Sequence, residues 1–188
     1  MFKKIVFIYL MATVCIGAGV GEIIDRYESP EVKELKQHFP WINENVYNII
    51  NKNCKVYGLE VVLVCSVIQY ESGMYCKNNL EWMSRVISYA GAIGICQIMP
   101  LHVKNPEDLK YRAINIDRGC WYLSKCIKKA KNCGYKKIYA EACRMYNSGL
   151  HAKRSNYRGW AYVYRIQNIY EKTNKHMVNN NIYLVAQI

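Results

Sequence analysis

The residue in this sequence best placed for acid–base work is Glu71. It follows an almost unbroken apolar run of Leu59, Val61, Val62, Leu63, Val64, Cys65, Val67 and Ile68. As a buried helix stopped near Gly73, that run stacks Glu71 over Ile68, Val67 and Val64 on one face. Periodicity alone leaves a buried strand open, and length favours the helix. A carboxyl group so placed lies at the edge of a core and at the negative end of a helix dipole. Both disfavour its charged form, so it should hold its proton more tightly than a free glutamate. Moving it from about 4.3 to about 6 costs roughly 2.3 kcal/mol, which one desolvated site in a folded domain can sustain. A carboxyl of that kind serves as a general acid and, once ionised, as a base. The plain alternative is a glutamate that ends a helix in water or pairs with a lysine, and the local context has to separate the two.

That context is glycine-rich. Glu71-Ser72-Gly73 is followed by Ser88 and then by Gly91-Ala92-Ile93-Gly94-Ile95-Cys96-Gln97-Ile98-Met99-Pro100. Gly91 and Gly94 suit a tight loop that brings backbone close to a ligand. Here the sequence resembles the soluble lytic transglycosylase family, whose members carry Glu-Ser at a helix end and then a serine three residues before Gly-Ala-x-Gly-Leu-Met-Gln-Ile-Met-Pro. Asn115-Ile116, Gly119 and Tyr122-Leu123 look like that family's Asn-Ile-x-x-Gly-x-x-Tyr-Leu helix. Tyr146-Asn147-x-Gly149 resembles its Tyr-Asn-x-Gly turn, and Tyr162-Val163 with Arg165-Ile166 and Tyr170 is similar to its closing Tyr-Val-x-x-Val helix. Any one block alone is weak, and their order over residues 56–170 is what makes the resemblance specific.

The sequence also departs from the family. Glu71 and Ser88 stand further apart than in typical members, as if a loop over residues 74–82 had been inserted at the cleft edge. Ile95 and Cys96 replace the usual Leu-Met pair, which puts the methionine's apolar contact to the sugar in doubt and leaves Cys96 to a core or disulfide role. Met145 stands where alanine is common, a change that concerns packing more than chemistry.

The resemblance implies a mainly α, lysozyme-like helical domain of the goose-type or SLT kind, with room for a small β element. It implies peptidoglycan glycan strands as partner and substrate, and neither metal nor cofactor. In such a lytic transglycosylase, Glu71 protonates the bond between N-acetylmuramic acid and N-acetylglucosamine, and the substrate's acetamido group stabilises the oxocarbenium-like centre. Glu71 then takes a proton from the C6 hydroxyl, which closes a 1,6-anhydro ring without consuming water. Ser88 and Gln97 would lie near the reacting sugar, Tyr146 would hydrogen-bond at or close to Glu71, and Tyr162 would line the cleft. Packing and turn geometry are the alternative for each, and Ser72 reads as a helix-capping residue. Asn147 and Gly149 read as structural. Ordinary glycosidases set two acids across the bond. The weak candidates for a second acid here are Glu81, in the apparent insertion, and Asp117, on an amphipathic helix.

Several helices must hold these residues. Short ones are expected over residues 32–38 and 42–50, and the buried one over residues 57–70. Asn105, Pro106, Glu107 and Asp108 give the cap, first-position proline and acidic first turn of another short helix. A longer helix over residues 113–131 carries Ile116, Cys120, Leu123 and Ile127 on one face and lysines at its end. Two more are expected over residues 137–146 and 160–172. The tail after His176, with apolar residues at 182–185, is left to dock as a strand or stay loose.

The totals frame this organisation. A chain of 188 residues and 22.0 kDa supports one substantial core. Lys3 and Lys4 precede an uncharged apolar run over residues 5–20, with small residues at Gly17, Gly19 and Gly21. That pattern reads as an export signal, and an uncleaved anchor is the alternative. The expected divisions are a signal over 1–21, a lead-in over 22–53, a catalytic domain over 54–175 and a tail over 176–188. Export would place the chain in the periplasm or cell envelope, touching membrane only through its N-terminal segment. Nine cysteines, eight of them beyond the signal, agree with an oxidising space and suggest some disulfides beside buried thiols. No C-x-x-C pair is present and the four histidines are scattered, so a zinc site is poorly supported.

The net charge of +12 would draw in an anionic polymer without naming it. A lysozyme-type muramidase, using water in place of the C6 hydroxyl, would fit the same residues. A basic binding module would fit the charge, but no nucleic-acid motif accompanies it and no nucleic-acid partner is expected. A catalytically silent wall-binding protein of a secretion, conjugation or phage machine is the remaining alternative, and the retained Glu71 argues against it.

Overall fold

A computed structural model describes residues 28–179 of the chain. The expected signal and the apolar residues 182–185 therefore lie outside the described residues. The described chain is helical: α1 (Pro30–Lys36), α2 (Glu44–Tyr57), α3 (Val61–Ile68), α4 (Leu80–Arg85), α5 (Arg112–Asn132), α6 (Ile138–Ser148) and α7 (Tyr157–Asn179). One-turn 3-10 segments at Pro100–His102 and Pro106–Lys110 join α4 to α5. The mainly α, lysozyme-like class expected from the sequence is the fold observed. The small β element allowed for is reduced to two isolated antiparallel bridges, Ile87 with Ile93 and Ile93 with Ile98.

Local chemistry sets the helix ends. Ser29, Asn43 and Asn79 cap α1, α2 and α4 by accepting the backbone N–H of Val32, Val46 and Trp82. Gly58, with φ of 63°, closes α2 in the left-handed conformation that glycine adopts most readily. The buried helix expected from residue 57 therefore begins at Val61, and α2 runs seven residues beyond its expected end at Ile50. At the other end of the chain, α7 passes its expected end at Lys172 and continues to Asn179.

Every residue of α3 is buried. Around this hub α7 packs on α3, α6 on α7, and α5 on both α6 and α2. One contiguous apolar cluster links them, including Phe39, Ile50, Leu63, Ile68, Ile116 and Ile166. The disulfides expected from the even cysteine set are not formed among the described residues. All eight described cysteines are free thiols, and all but Cys133 are buried. They pack as small apolar side chains inside the helical core, where burial pushes the thiols of Cys65, Cys126 and Cys143 up and keeps them protonated.

Candidate active site

Glu71 sits in a single π-helical turn, Gln69–Gly73, that extends α3. The turn is closed by the Met74 N–H donating to the Gln69 carbonyl at 2.9 Å. Such turns insert a residue into the ladder and are frequent at functional sites. Its shape is held from behind. Trp41 Nε1 donates to Gln69 Oε1 at 2.8 Å, and Gln69 Nε2 donates to Asn78 Oδ1 at 3.1 Å. A side chain at residue 73 would come within 3.0 Å of the Gln69 amide, which explains the glycine there. Ser72 is fully buried and donates to the Ile95 carbonyl at 2.8 Å, joining this turn to the glycine-rich loop.

Glu71 is half-buried, and its carboxyl accepts a 2.7 Å hydrogen bond from the Tyr162 hydroxyl of α7. Burial raises Glu71 to about 7, and the Tyr162 hydrogen bond, which favours the ionised form, opposes that rise. Glu71 therefore holds its proton much closer to neutral pH than a free glutamate does. Tyr70 meets the Tyr162 ring edge-on, with centroids 5.1 Å apart, and helps to fix it. Burial and the neighbouring carboxyl of Glu71 both hold the Tyr162 phenol well above its ordinary value, so it remains a donor.

The glycine-rich loop is fastened from α5. Asn115 is buried, and its Oδ1 accepts the Cys96 N–H at 2.8 Å. Its Nδ2 donates to the carbonyls of Ile93 at 2.8 Å and Leu109 at 2.9 Å. Gly94 needs its positive φ of 78°, and a Cβ there would lie 2.4 Å from the Asn115 amide nitrogen. Gly119 makes the notch that receives Cys96, since a Cβ on α5 at that point would meet the Cys96 side chain at 2.7 Å. Cys96 is thus a buried packing residue against α5, in place of the methionine that family members direct to the sugar.

Tyr146, expected to hydrogen-bond at or close to Glu71, donates to the Cys96 carbonyl at 2.8 Å. It still lies close enough for the Glu71 charge to help raise its phenol, after burial and Cys96. Tyr162, expected along the cleft wall, takes the hydrogen bond to the acid. The direct bond comes from α7, whose reach across the site is a tertiary fact spanning 91 residues of sequence. Gln97 has a left-handed backbone, φ 49°, and its Nε2 donates to the Gly94 carbonyl at 2.8 Å. Gln97 and Tyr146 line a cavity of about 340 Å³ together with Met99, His102, Tyr122 and Gly149. Ser88 caps the loop's own turn, its Oγ accepting the Ala92 N–H at 3.0 Å, and the structure records no contact between it and Glu71.

Neither candidate for a second acid is coupled to Glu71. Glu81 is exposed and engaged by Arg112 and Arg85, and Asp117 is engaged by Tyr57 and Arg118. A larger recess of about 460 Å³, between α3, α6 and α7, is lined by Leu63, Ile138, Val163 and Tyr170 and does not include the acid. Sequence reasoning missed Tyr70 as the support of Tyr162 and Asn115 as the bolt of the loop. Asn115 was visible as a polar residue on the apolar side of an amphipathic helix, whereas Tyr70 carried no signal beyond its place next to Glu71.

Residues 48–162, more than half of the 188-residue chain, match the Transglycosylase SLT domain family. That span contains the π turn with Glu71, the loop bolted by Asn115 and, at its last residue, the tyrosine that bonds the acid. The chain belongs to this family, and its activity is of the peptidoglycan-cleaving, lytic transglycosylase or lysozyme kind.

Proposed function

We propose that the chain is a lytic transglycosylase that cleaves the β-1,4 bond between N-acetylmuramic acid and N-acetylglucosamine and leaves a 1,6-anhydro end. The observation that carries this reading is the lone carboxyl of Glu71, raised to about 7 by burial, with Tyr162 as its hydrogen-bond partner and no second acid shifting it. A group at that value is an acid and a base at one pH, which a two-proton sequence on a single residue requires. Protonated, Glu71 delivers its proton to the glycosidic oxygen as the bond to the leaving sugar breaks. The positive charge that develops at C1 is met by the substrate's acetamido oxygen. The carboxylate so formed accepts the Tyr162 hydrogen bond, then withdraws the proton of the C6 hydroxyl as that oxygen closes on C1. Glu71 ends protonated, as it began, and no water enters the balance.

In this reading Gln97 and Tyr146 meet the strand in the cavity that they line, Tyr162 positions the carboxylate, and Ser88 shapes the loop over the reacting sugar. Action on peptidoglycan would place the protein in the periplasm or envelope. The test is digestion of purified peptidoglycan by the unmodified protein and by Glu71→Gln, with product ends identified by mass spectrometry. Anhydro ends from the unmodified protein and a loss of at least about a thousandfold in Glu71→Gln are expected. Reducing ends would assign the reaction to hydrolysis by water, and equal rates from the two proteins would remove Glu71 from the chemistry.

A further inference from the structure

We infer that His102 is a substrate-binding residue, whose imidazole hydrogen-bonds an amino-sugar unit of the glycan strand in the cavity that it lines with Gln97 and Tyr146. The inference rests on the function proposed above, since that reading puts the strand in this cavity. The glycine-rich motif that carries the family resemblance ends at Pro100, so the role of His102 comes from the cavity and not from the motif.

His102 ends the one-turn 3-10 segment Pro100–His102, and Gln97 stands three residues before that segment begins. The turn is closed by the His102 N–H donating to the Met99 carbonyl at 3.0 Å and the Val103 N–H donating to the Pro100 carbonyl at 3.2 Å. Pro100 fixes its first φ, so the imidazole leaves a defined piece of backbone. The ring is set against α5. It lies 4.6 Å from the Tyr122 ring, with planes at 35°, and meets Trp121 edge-on at 6.0 Å. Tyr122 in turn lies 5.5 Å from Tyr146, the tyrosine whose phenol is raised in part by the Glu71 charge. Tyr146, Tyr122 and His102 thus form a row of rings along the cavity wall, with the tyrosine nearest the acid at one end and the imidazole at the other.

The neighbouring polar groups of this wall are already engaged. The Tyr146 hydroxyl donates to the Cys96 carbonyl, the Gln97 amide nitrogen donates to the Gly94 carbonyl, and the Tyr122 hydroxyl is held by the backbone of Leu150. His102 differs from them. It is half-buried, its contacts are the two rings and the nearby ammonium of Lys125, and no hydrogen bond to either ring nitrogen is formed among the described residues. Burial and the Lys125 charge both hold the imidazole below its ordinary value. At neutral pH it is therefore uncharged, with one N–H to donate and one nitrogen to accept.

A ring-walled cavity with a few unspent polar groups is the arrangement that orients a small ligand unit. Sugar hydroxyls both donate and accept, so they pair with a neutral imidazole in either tautomer. Cys96 is turned into the notch at Gly119 and offers the strand no side chain, which leaves this part of the wall to the segment after the loop, where His102 stands.

The test uses the full chain with long, peptide-free glycan strands. His102→Phe keeps a ring against Tyr122 and removes both hydrogen-bonding atoms, whereas His102→Gln keeps a donor and an acceptor without the ring. Binding is measured by calorimetry with Glu71→Gln present to prevent cleavage, cleavage kinetics with Glu71 intact, and folding by the urea midpoint. His102→Phe is expected to weaken binding and raise KM about tenfold, with the smaller effect on kcat, and His102→Gln to stay within about threefold of the unmodified protein. Binding and KM that stay at the unmodified values in His102→Phe overturn the inference. Folded Phe and Gln variants that lose binding equally overturn it too, since the ring would then serve packing alone. If the unmodified protein cuts nothing, weaker binding by His102→Phe on the Glu71→Gln background still supports the role of His102, and only the cleavage reaction falls. Anhydro products beside unchanged binding by His102→Phe sink the role of His102 and leave the reaction standing.

Discussion

A carboxyl that titrates near neutrality affects both rate and stability, and for Glu71 both decline as pH rises. As general acid it must be protonated, so the rate of bond cleavage should fall above about pH 7. The Tyr162 hydroxyl favours the ionised form, so its removal should lift the acid further. Tyr162→Phe is expected to move the alkaline limb of the pH–rate profile upward while lowering the maximum about tenfold, and an unshifted limb would deny the hydrogen bond its role. For stability, the folded form of Glu71 titrates near 7 and the unfolded form near 4.3, so between those values the folded state binds more protons. Folding should therefore weaken as pH rises through that window. Glu71→Gln should be about 2 kcal/mol more stable than the unmodified protein at pH 8, a figure discounted because the residue is only half-buried, with little gain at pH 4. Urea titrations at the two pH values measure it. Glu71 was legible in the sequence because an acid that follows a run of apolar residues is a local pattern. Which of the two tyrosines bonds Glu71 directly was not, since nothing in the helix period says which reaches furthest across the core.

The elements that serve the site are joined by backbone hydrogen bonds drawn to a few buried polar side chains, and Asn115 is the chief of these. Its three hydrogen bonds tie α5 to the Gln97 loop and to the 3-10 turn before α5. Asn115→Ala leaves the Cys96 N–H buried without its partner, at about 1–3 kcal/mol, and takes one hydrogen bond each from the Leu109 carbonyl and from the Ile93 carbonyl, which keeps the Ile98 N–H. The expected outcome is a loss of about 3 kcal/mol in urea denaturation together with a rise in KM, because the displaced loop carries Gln97. A loss of stability with KM unchanged would mean that the loop keeps its shape without its bolt. Helix existence was legible from spacing and caps, as with the face of Ile116, Cys120, Leu123 and Ile127 on α5 and the proline start of the 3-10 turn. Gly58 also carried a stop signal, but the apolar run beyond it drew the expected helix start four residues too early. The π turn had no signal at all. One inserted residue in a hydrogen-bond ladder depends on what packs behind it, here the Gln69 amide held between Trp41 and Asn78.

At the scale of the whole molecule, the distance between Glu71 and Tyr162 depends on how α7 seats against α3, and a buried ion cluster ties α6 to the connection that leads into α7. Glu141 and Arg144 on α6 are both almost fully buried, and Arg144 Nε meets Glu141 at 2.9 Å. Arg154, in the connection to α7, donates to the other oxygen of Glu141 at 2.7 Å. The cluster continues from there into α7. The Trp160 indole donates to the Arg154 carbonyl at 2.7 Å, and Gly159 lies so close to Arg144 that a Cβ there would sit 2.8 Å from its side chain. Charges taken this far from water contribute little net stability as a pair, but removing one leaves the other uncompensated. Arg144→Ala should therefore destabilise by about 3 kcal/mol, near the low end for a broken buried pair because Arg154 still faces Glu141, and shift the urea midpoint down by about 1.5 M. The paired change Glu141→Leu with Arg144→Met removes both charges and should lose much less. The two variants should also part in activity. If the cluster sets the angle of α7, Arg144→Ala should lower kcat at temperatures where it is still folded, because Tyr162 would no longer hold the acid at 2.7 Å. If the cluster only stabilises, kcat should follow the folded fraction alone, and a double-mutant cycle between Arg144→Ala and Tyr162→Phe would show no coupling.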